Sequence, residues 1–196
     1  VTDPGPLAGK TITDVSASPT QTGGIYSACA VADGAAYCWG SNTSGQLGDN
    51  TNTNSTVPVA VDTSGVLNGL TVTQVSVGGN FACAIAYDVV VTDAKAYCWG
   101  DNSSGKLGNN NPDVNSSVPV AVDVSGVLSG LTVTDVSAGT SLACVVASGA
   151  AYCWVNNGTT TVGALGTGVS ASTLASSPVP VAVSTSGVLS GKTVTD

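Results

Sequence analysis

Apolar and polar residues alternate along this chain in short runs of period two. Segments such as Thr132-Val-Thr-Asp-Val-Ser137 are rich in β-branched residues, and Gly, Asn, Ser and Pro interrupt the pattern repeatedly. Punctuation every ~8–12 residues is the spacing of an all-β array. No stretch places apolar residues at i, i+3, i+4 and i+7, so no amphipathic helix is expected. No apolar run approaches the ~20 residues that a membrane-spanning helix requires.

The strand pattern recurs as a unit. Gly5-Pro-Leu-Ala-Gly-Lys-Thr-Ile-Thr-Asp14 returns with conservative changes from Gly65, Gly126 and Gly187, at spacings of 60, 61 and 61 residues. Ala-Tyr-Cys-Trp recurs at 36–39, 96–99 and 151–154, and Val-Pro-Val-Ala-Val at 57–61, 118–122 and 179–183. The loop Gly40-Ser-Asn-Thr-Ser-Gly-Gln-Leu-Gly48 returns as Gly100-Asp-Asn-Ser-Ser-Gly-Lys-Leu-Gly108, and in altered form it ends at Ala164-Leu-Gly166. The reading is three repeats, 1–64, 65–125 and 126–186, followed by the opening strand of a fourth at 187–196. Four short strands per repeat is the size of one propeller blade. The expected fold is therefore all-β, a propeller-like array of about three four-stranded blades with an extra C-terminal strand and an incomplete ring.

Cysteines fall one pair to a repeat, 29/38, 83/98 and 144/153. Asp33-Gly34 is a two-residue hairpin signal, and counting outward from it sets Cys29 opposite Cys38 at a non-hydrogen-bonded position. Such positions bring Cα atoms to about 4.5 Å, inside the ~4.4–6.8 Å that a disulfide accepts. Ser148-Gly149 does the same for Cys144 and Cys153, and Cys83 and Cys98 are symmetric about Val90 and Val91. Three disulfides, each closing one hairpin, are expected, with reduced core thiols and soft-metal ligands as the competing readings. Disulfides imply an oxidising compartment, extracellular or at the cell surface.

Composition removes most catalytic options. The 196 residues include 12 Asp and 4 Lys but no Glu, Arg, His or Met, for a net charge of −8. Without His there is no imidazole base, no Ser-His-Asp triad and no His-containing zinc site. Without Arg there is no bidentate phosphate clamp, and the acidic charge opposes nucleic acid and anionic lipid. No enzymatic activity is expected. No basic, apolar leader follows Val1, which suggests a processed chain or a piece of a longer one.

The succession Val-Ser-x-Gly, Cys-Ala or Cys-Val, Ala-Tyr-Cys-Trp-Gly-x-Asn-x-x-Gly-x-Leu-Gly, then Val-Pro-Val resembles the regulator of chromosome condensation repeat, in particular its bacterial, secreted, cysteine-containing version. The resemblance spans essentially the whole chain. The third repeat departs from it, with Val155 in place of Gly40 and Gly100 and an insertion through Thr159–Val162. The resemblance implies a β-propeller, commonly of seven blades, that works by protein–protein interaction: nucleotide exchange on a small GTPase, chromatin binding, or β-lactamase inhibition. No exchange-factor residues carry over, and no arginine anchor or basic face for DNA is present.

Several residues are candidates for chemistry. Trp39, Trp99 and Trp154, with Tyr37, Tyr97 and Tyr152 on the same strand face, suit inter-blade packing or ligand stacking. The glycine loop lacks the Lys-Ser/Thr of a phosphate cradle; it reads as a blade-edge turn plugged by Leu47, Leu107 and Leu165. Asp14, Asp135 and Asp196 share one repeat position and Asp62 and Asp123 another. Their oxygens could take Ca²⁺, but no complete calcium loop is present, so no cofactor and no metal is expected. Sequons at Asn42, Asn54, Asn102, Asn115 and Asn157 are glycan acceptors where the source has that machinery, and otherwise polar turns.

An open array leaves edges that must be covered. The expected partners are copies of the chain itself, joined by strand exchange through Val188, Leu189, Thr193 and Val194, or further blades of a longer parent chain. A protein or glycan ligand is a further expectation; nucleic acid and membrane insertion are not. The function expected is that of a non-enzymatic extracellular structural or self-assembling repeat protein, a surface fibre, layer or adhesive array. The alternative is a soluble secreted propeller presenting its loops to a protein or glycan.

Overall fold

The structure is a computed structural model, and it describes residues 5–19, 26–91, 93–155, 163–168, 176–186 and 189–195. The chain forms three four-stranded antiparallel sheets in sequence order. Blade one holds β1 (Ile12–Ala17), β2 (Ser27–Ala32), β3 (Ala35–Gly40) and β4 (Ser55–Ala60). Blade two holds β5 (Thr71–Val77), β6 (Phe81–Tyr87), β7 (Lys95–Gly100) and β8 (Ser116–Ala121). Blade three holds β9 (Val133–Ala138), β10 (Leu142–Ala147), β11 (Ala150–Val155) and β12 (Ser177–Ala182). A 3₁₀ turn lies at Ser103–Gly105.

Local chemistry sets the registers. Asp33 and Gly34 both take positive φ, 48° and 76°, as do Ser148 and Gly149 at 49° and 77°. That is the backbone twist a two-residue hairpin requires, and it pairs Cys29 with Cys38 and Cys144 with Cys153 across the strands. Each first strand carries a bulge, at Ile12/Asp14, Val72/Gln74 and Val133/Asp135. The third strands break register before the fourth at Gly40 and Gly100, and β11 makes the same shift with Val155 in the glycine's place.

Hydrophobic packing lies between blades. Val72, Val75 and Val77 of β5 join Cys29, Val31, Leu47 and Leu67 in one core, and Val133 and Val136 of β9 join Phe81, Ile85, Leu107 and Leu128 in the next. The middle strands β2 and β6 are buried nearly throughout, because neighbouring strands flank them and blades or loops cover their faces. First strands pack in succession, β1 on β5 and β5 on β9, and the ring is open.

The expected fourth opening strand is in part different. Residues 189–195 form a turn and an extended piece without a ladder, with the Val194 amide donating to the Gly149 carbonyl at 2.9 Å. In the earlier repeats the first strand pairs with the strand that follows it, β2, β6 or β10. Val188 and Asp196 lie outside the described residues, as do Asn157 and the insertion through Thr159–Val162.

Candidate functional site

Each blade meets its neighbours through a leading face, which receives the preceding blade, and a trailing face. The tryptophans mark the leading faces. Trp99 is fully buried and its indole N–H donates to the Gln46 carbonyl of blade one at 3.0 Å, while Trp154 reaches the Lys106 carbonyl of blade two at 2.7 Å. Each indole lies so close to the preceding blade's loop that a Cβ on Gly48 or Gly108 would stand 2.8 Å from the ring. Neither ring has surface left for a ligand. Trp39 differs: it is half-buried, its N–H has no acceptor among the described residues, and it lines an open apolar groove of about 350 Å³ with Ala17, Tyr26 and Ala28. Tyr37 and Tyr97 are buried and Tyr152 half-buried. Lys10 Nζ stands 5.7 Å from the Tyr37 ring centroid, and burial, then the nearby Asp93 charge, pushes the Tyr97 phenol up.

The six cysteines form three disulfides, Cys29–Cys38, Cys83–Cys98 and Cys144–Cys153, each with Cα atoms 4.0 Å apart. Each joins the two middle strands of one blade. The tie therefore runs within a blade and leaves both faces free to pack.

A role that the repeat pattern alone did not disclose belongs to Asn42 and Asn102. Both are fully buried. Asn42 Oδ1 accepts from the Leu47 amide, and its Nδ2 donates to Asp49 Oδ1 and to the Thr51 and Thr53 carbonyls. Asn102 does likewise with Leu107, Asn109 and Asn111. The Asn-x-x-Gly-x-Leu-Gly spacing was the signal for this hub. It also corrects the sequon reading at these two positions, since a buried amide with its hydrogens committed offers no nitrogen for a glycan. Asn54 and Asn115 are exposed, and each accepts the backbone N–H of the hub residue through its side-chain oxygen. The hub turns Leu47 and Leu107 inward as plugs, and Leu165 is buried as well.

The recurring carboxylate position of the first strand also finds its use between blades. Asp14 Oδ2 accepts the Val75 amide at 2.7 Å and Ser16 Oγ the Val77 amide at 3.0 Å. One blade on, Gln74 Oε1 and Ser76 Oγ accept the Val136 and Ala138 amides, each at 2.9 Å. Gln74 also donates to Asp135 at 2.6 Å. Asp62 and Asp123 instead close turns onto Ser64 and Ser125, whose hydroxyls and amides hold both carboxyls below the usual carboxylate range. Among the described residues no group of three or more His, Cys, Asp or Glu is placed to hold a metal. Among them, too, no helix is long and apolar enough to cross a membrane.

Of the residues expected to exchange strands, Leu189 opens the turn that Lys192 closes, and Thr193 lies against Gly149 beside the Val194 hydrogen bond. The structure thus seats this segment on blade three of its own chain.

Comparisons place this architecture. The chain is 32% identical over 149 residues to the E3 ubiquitin-protein ligase HERC2 of Homo sapiens, covering 76% of this chain and 3% of that protein; the Mus musculus HERC2 matches to the same extent. Among solved structures it resembles Prp20p from Saccharomyces cerevisiae with a TM-score of 0.61 at 20% identity, covering 83% of this chain and 37% of that one. Human WBSCR16 is similar at 0.59 and 22% identity, covering 80% and 35%. The chain thus spans only a small part of these relatives. The model of the regulator of chromosome condensation (RCC1) repeat matches residues 33–85 and 93–146, each stretch running from the last two strands of one blade into the first two of the next. With more than half its length so matched, the chain belongs to the RCC1 repeat family.

Proposed function

We propose that this chain is a non-enzymatic extracellular repeat unit whose work is protein–protein association through its blade faces, as a component of a structural array. One observation carries the reading: the blades associate face to face through one repeated set of contacts, with Trp99 and Trp154 seated on the Gln46 and Lys106 carbonyls of the preceding blade. Prp20p, similar in fold, binds Gsp1p and histones. What transfers from it is association with proteins, since this acidic chain without arginine lacks a basic anchor. Three disulfides favour an oxidising exterior. The carboxyls displaced from their ordinary range, Asp62, Asp101 and Asp123, are displaced toward ionisation, the opposite of what a general acid needs.

Thiol titration and sedimentation of the native protein test this. No reactive thiol and a concentration-dependent assembly are expected; six free thiols, or a monomer that captures no protein, would overturn it. A second reading is favoured by the β6–β7 hairpin tip of blade two, where Val89, Val90 and Val91 are 63%, 86% and 66% exposed. Three adjacent apolar residues at a loop tip suit insertion into a protein partner's groove. Loss of partner capture on Val90→Asp, with assembly intact, would favour that reading.

A further inference from the structure

Between consecutive blades the chain crosses from the fourth strand of one to the first strand of the next, and each crossing opens with the same turn. The Asp62 amide donates to the Gly48 carbonyl and the Asp123 amide to that of Gly108, each at 2.8 Å. Asp62 Oδ1 then accepts the amide and the hydroxyl of Ser64, both at 2.7 Å, and Asp123 Oδ1 accepts the Ser125 amide at 2.7 Å. The same turn follows β12. There the Ser184 amide donates to the Gly166 carbonyl at 2.8 Å, and the Ser184 hydroxyl accepts the Ser186 amide. A neutral serine closes this turn, so the turn itself gives no reason for a charge at Asp62 and Asp123.

Each of these carboxylates stands at the wall of a cavity formed where two blades abut. At the first junction the cavity is about 250 Å³, with Asp62, Ser64 and Val66 on the crossing segment facing Val118 and Pro119 of β8. At the second it is about 160 Å³, with Asp123, Ser125 and Val127 facing Val179 and Pro180 of β12. The Asn50 amide donates to the Ser117 carbonyl at 2.9 Å and the Asn110 amide to that of Pro178 at 3.2 Å, which fixes the spacing of the walls. Each cavity is bounded by two blades of this chain.

Size and charge decide what such a cavity suits. Both volumes fall below the ~300–1,000 Å³ of small-molecule sites, which leaves room for a single side chain. Val66 and Val127, each 44% exposed, and the valine and proline opposite make an apolar wall. The serine hydroxyls, and then the amides, hold both carboxyls below the usual carboxylate range and so ionised. Their Oδ2 atoms accept no hydrogen bond among the described residues, and Lys10, Lys95 and Lys106 pair with Asp33, Asp93 and Asp101 instead. A long alkyl stem ending in a cation matches this seat: the stem lies along the apolar wall and the head reaches the carboxylate. With Oδ1 committed, one oxygen is offered, which suits the point charge of an ammonium rather than the two-pronged guanidinium.

We infer that the two junction cavities are seats for lysine side chains of a basic protein partner, one lysine to each. This rests on the association reading above and names a surface and a partner chemistry for it. A second copy of this chain is a poor occupant, since it carries 12 Asp against 4 Lys, three of them already paired.

Titration of the ¹⁵N-labelled chain with a short capped peptide carrying one lysine, followed by amide NMR shifts, tests the seats. The amides of Ser64, Val66, Ser125 and Val127 should move. Norleucine in the lysine's place should weaken binding about tenfold or more, the worth of a charge-assisted hydrogen bond, and arginine should weaken it too. Asp62→Ser, which copies the turn at Ser184, should weaken binding about tenfold at the first junction and leave the second unchanged, and Asp123→Ser should do the reverse. Gly65→Leu should block the first seat, because a Cβ there meets nothing within 4 Å and the residue does not take positive φ. Asp88→Ser combined with Asp93→Ser removes two charges elsewhere and should alter neither seat. The same spectra show that each variant is folded. Shifts that ignore Asp62→Ser and Asp123→Ser, or that fall equally in the Asp88 and Asp93 variant, would reduce the effect to net charge and overturn the seats. Tighter binding of the arginine peptide would overturn the lysine assignment. No movement of these amides would overturn the seats and leave association through the blade faces to be judged by sedimentation.

Discussion

Asn42 organises its loop because one buried amide satisfies groups from both limbs of the turn, the Leu47 amide on one side and the Thr51 and Thr53 carbonyls on the other. Asn42→Ala would leave the buried Leu47 amide without its acceptor, and a loss of about 1–3 kcal/mol in urea unfolding is expected. The glycines of the same loop separate two costs that are usually merged. Gly45 and Gly163 both have φ near 80°, but only at Gly45 would an added Cβ meet backbone of the next blade, 2.7 Å from Ser117 Cα. Gly163→Ala should therefore cost about 1 kcal/mol, the conformational penalty alone. Gly45→Ala should cost about 1–3 kcal/mol more, as overpacking does, and a difference near zero would show that the blades do not abut there.

Hairpins and loops are where the redox and pH responses belong. A crosslink stabilises chiefly by restricting the unfolded chain, increasingly with the length enclosed. The Cys83–Cys98 bridge has a sequence separation of 15 and the other two of 9. Replacing Cys83 and Cys98 together by Ser should cost about 3 kcal/mol, somewhat more than either other pair, as read from denaturant midpoints. At the blade-two loop, burial raises the Asp101 carboxyl, but hydrogen bonds from Lys106 and Ser103 outweigh it and leave its pKa below the ordinary carboxylate value. A folded pKa below the unfolded one contributes stability that is complete above about pH 4–5 and lost as pH falls through the folded value. Asp101→Asn should flatten the acid side of the Tm-against-pH curve, and an unchanged acid limb would refute that assignment.

At the level of the molecule, among the described residues blade two alone has a neighbour on both faces, and the inter-blade cores on its two sides contain Trp99 and Trp154. Opening free energies follow burial and hydrogen bonding locally, and in stacked arrays they depend on neighbours. Hydrogen exchange should accordingly be slowest in β6 and β7 and faster in β1 and β12; uniform protection across the three blades would indicate instead a single cooperative unit.

Alternation, turn chemistry and the repeat are local properties, and they were enough to determine the all-β class, four strands to a blade, an open ring and the family. The Asp33-Gly34 turn sets the register of β2 against β3 because the twist of two residues fixes every pair beyond them. The uses of Asp14, Asn42 and Trp39 were not legible in the same way. Asp14 reads as a turn residue or an oxygen ligand until Val75, 61 residues away, is placed beside it. Asn42 reads as a sequon until its burial is known, and Trp39 is in the same local pattern as Trp99 and Trp154 although its environment is opposite. Identical sequence repeats carry identical local preferences, so only the stacking of blades, which gives two leading faces a neighbour and leaves one without, makes chemically equivalent residues do different things.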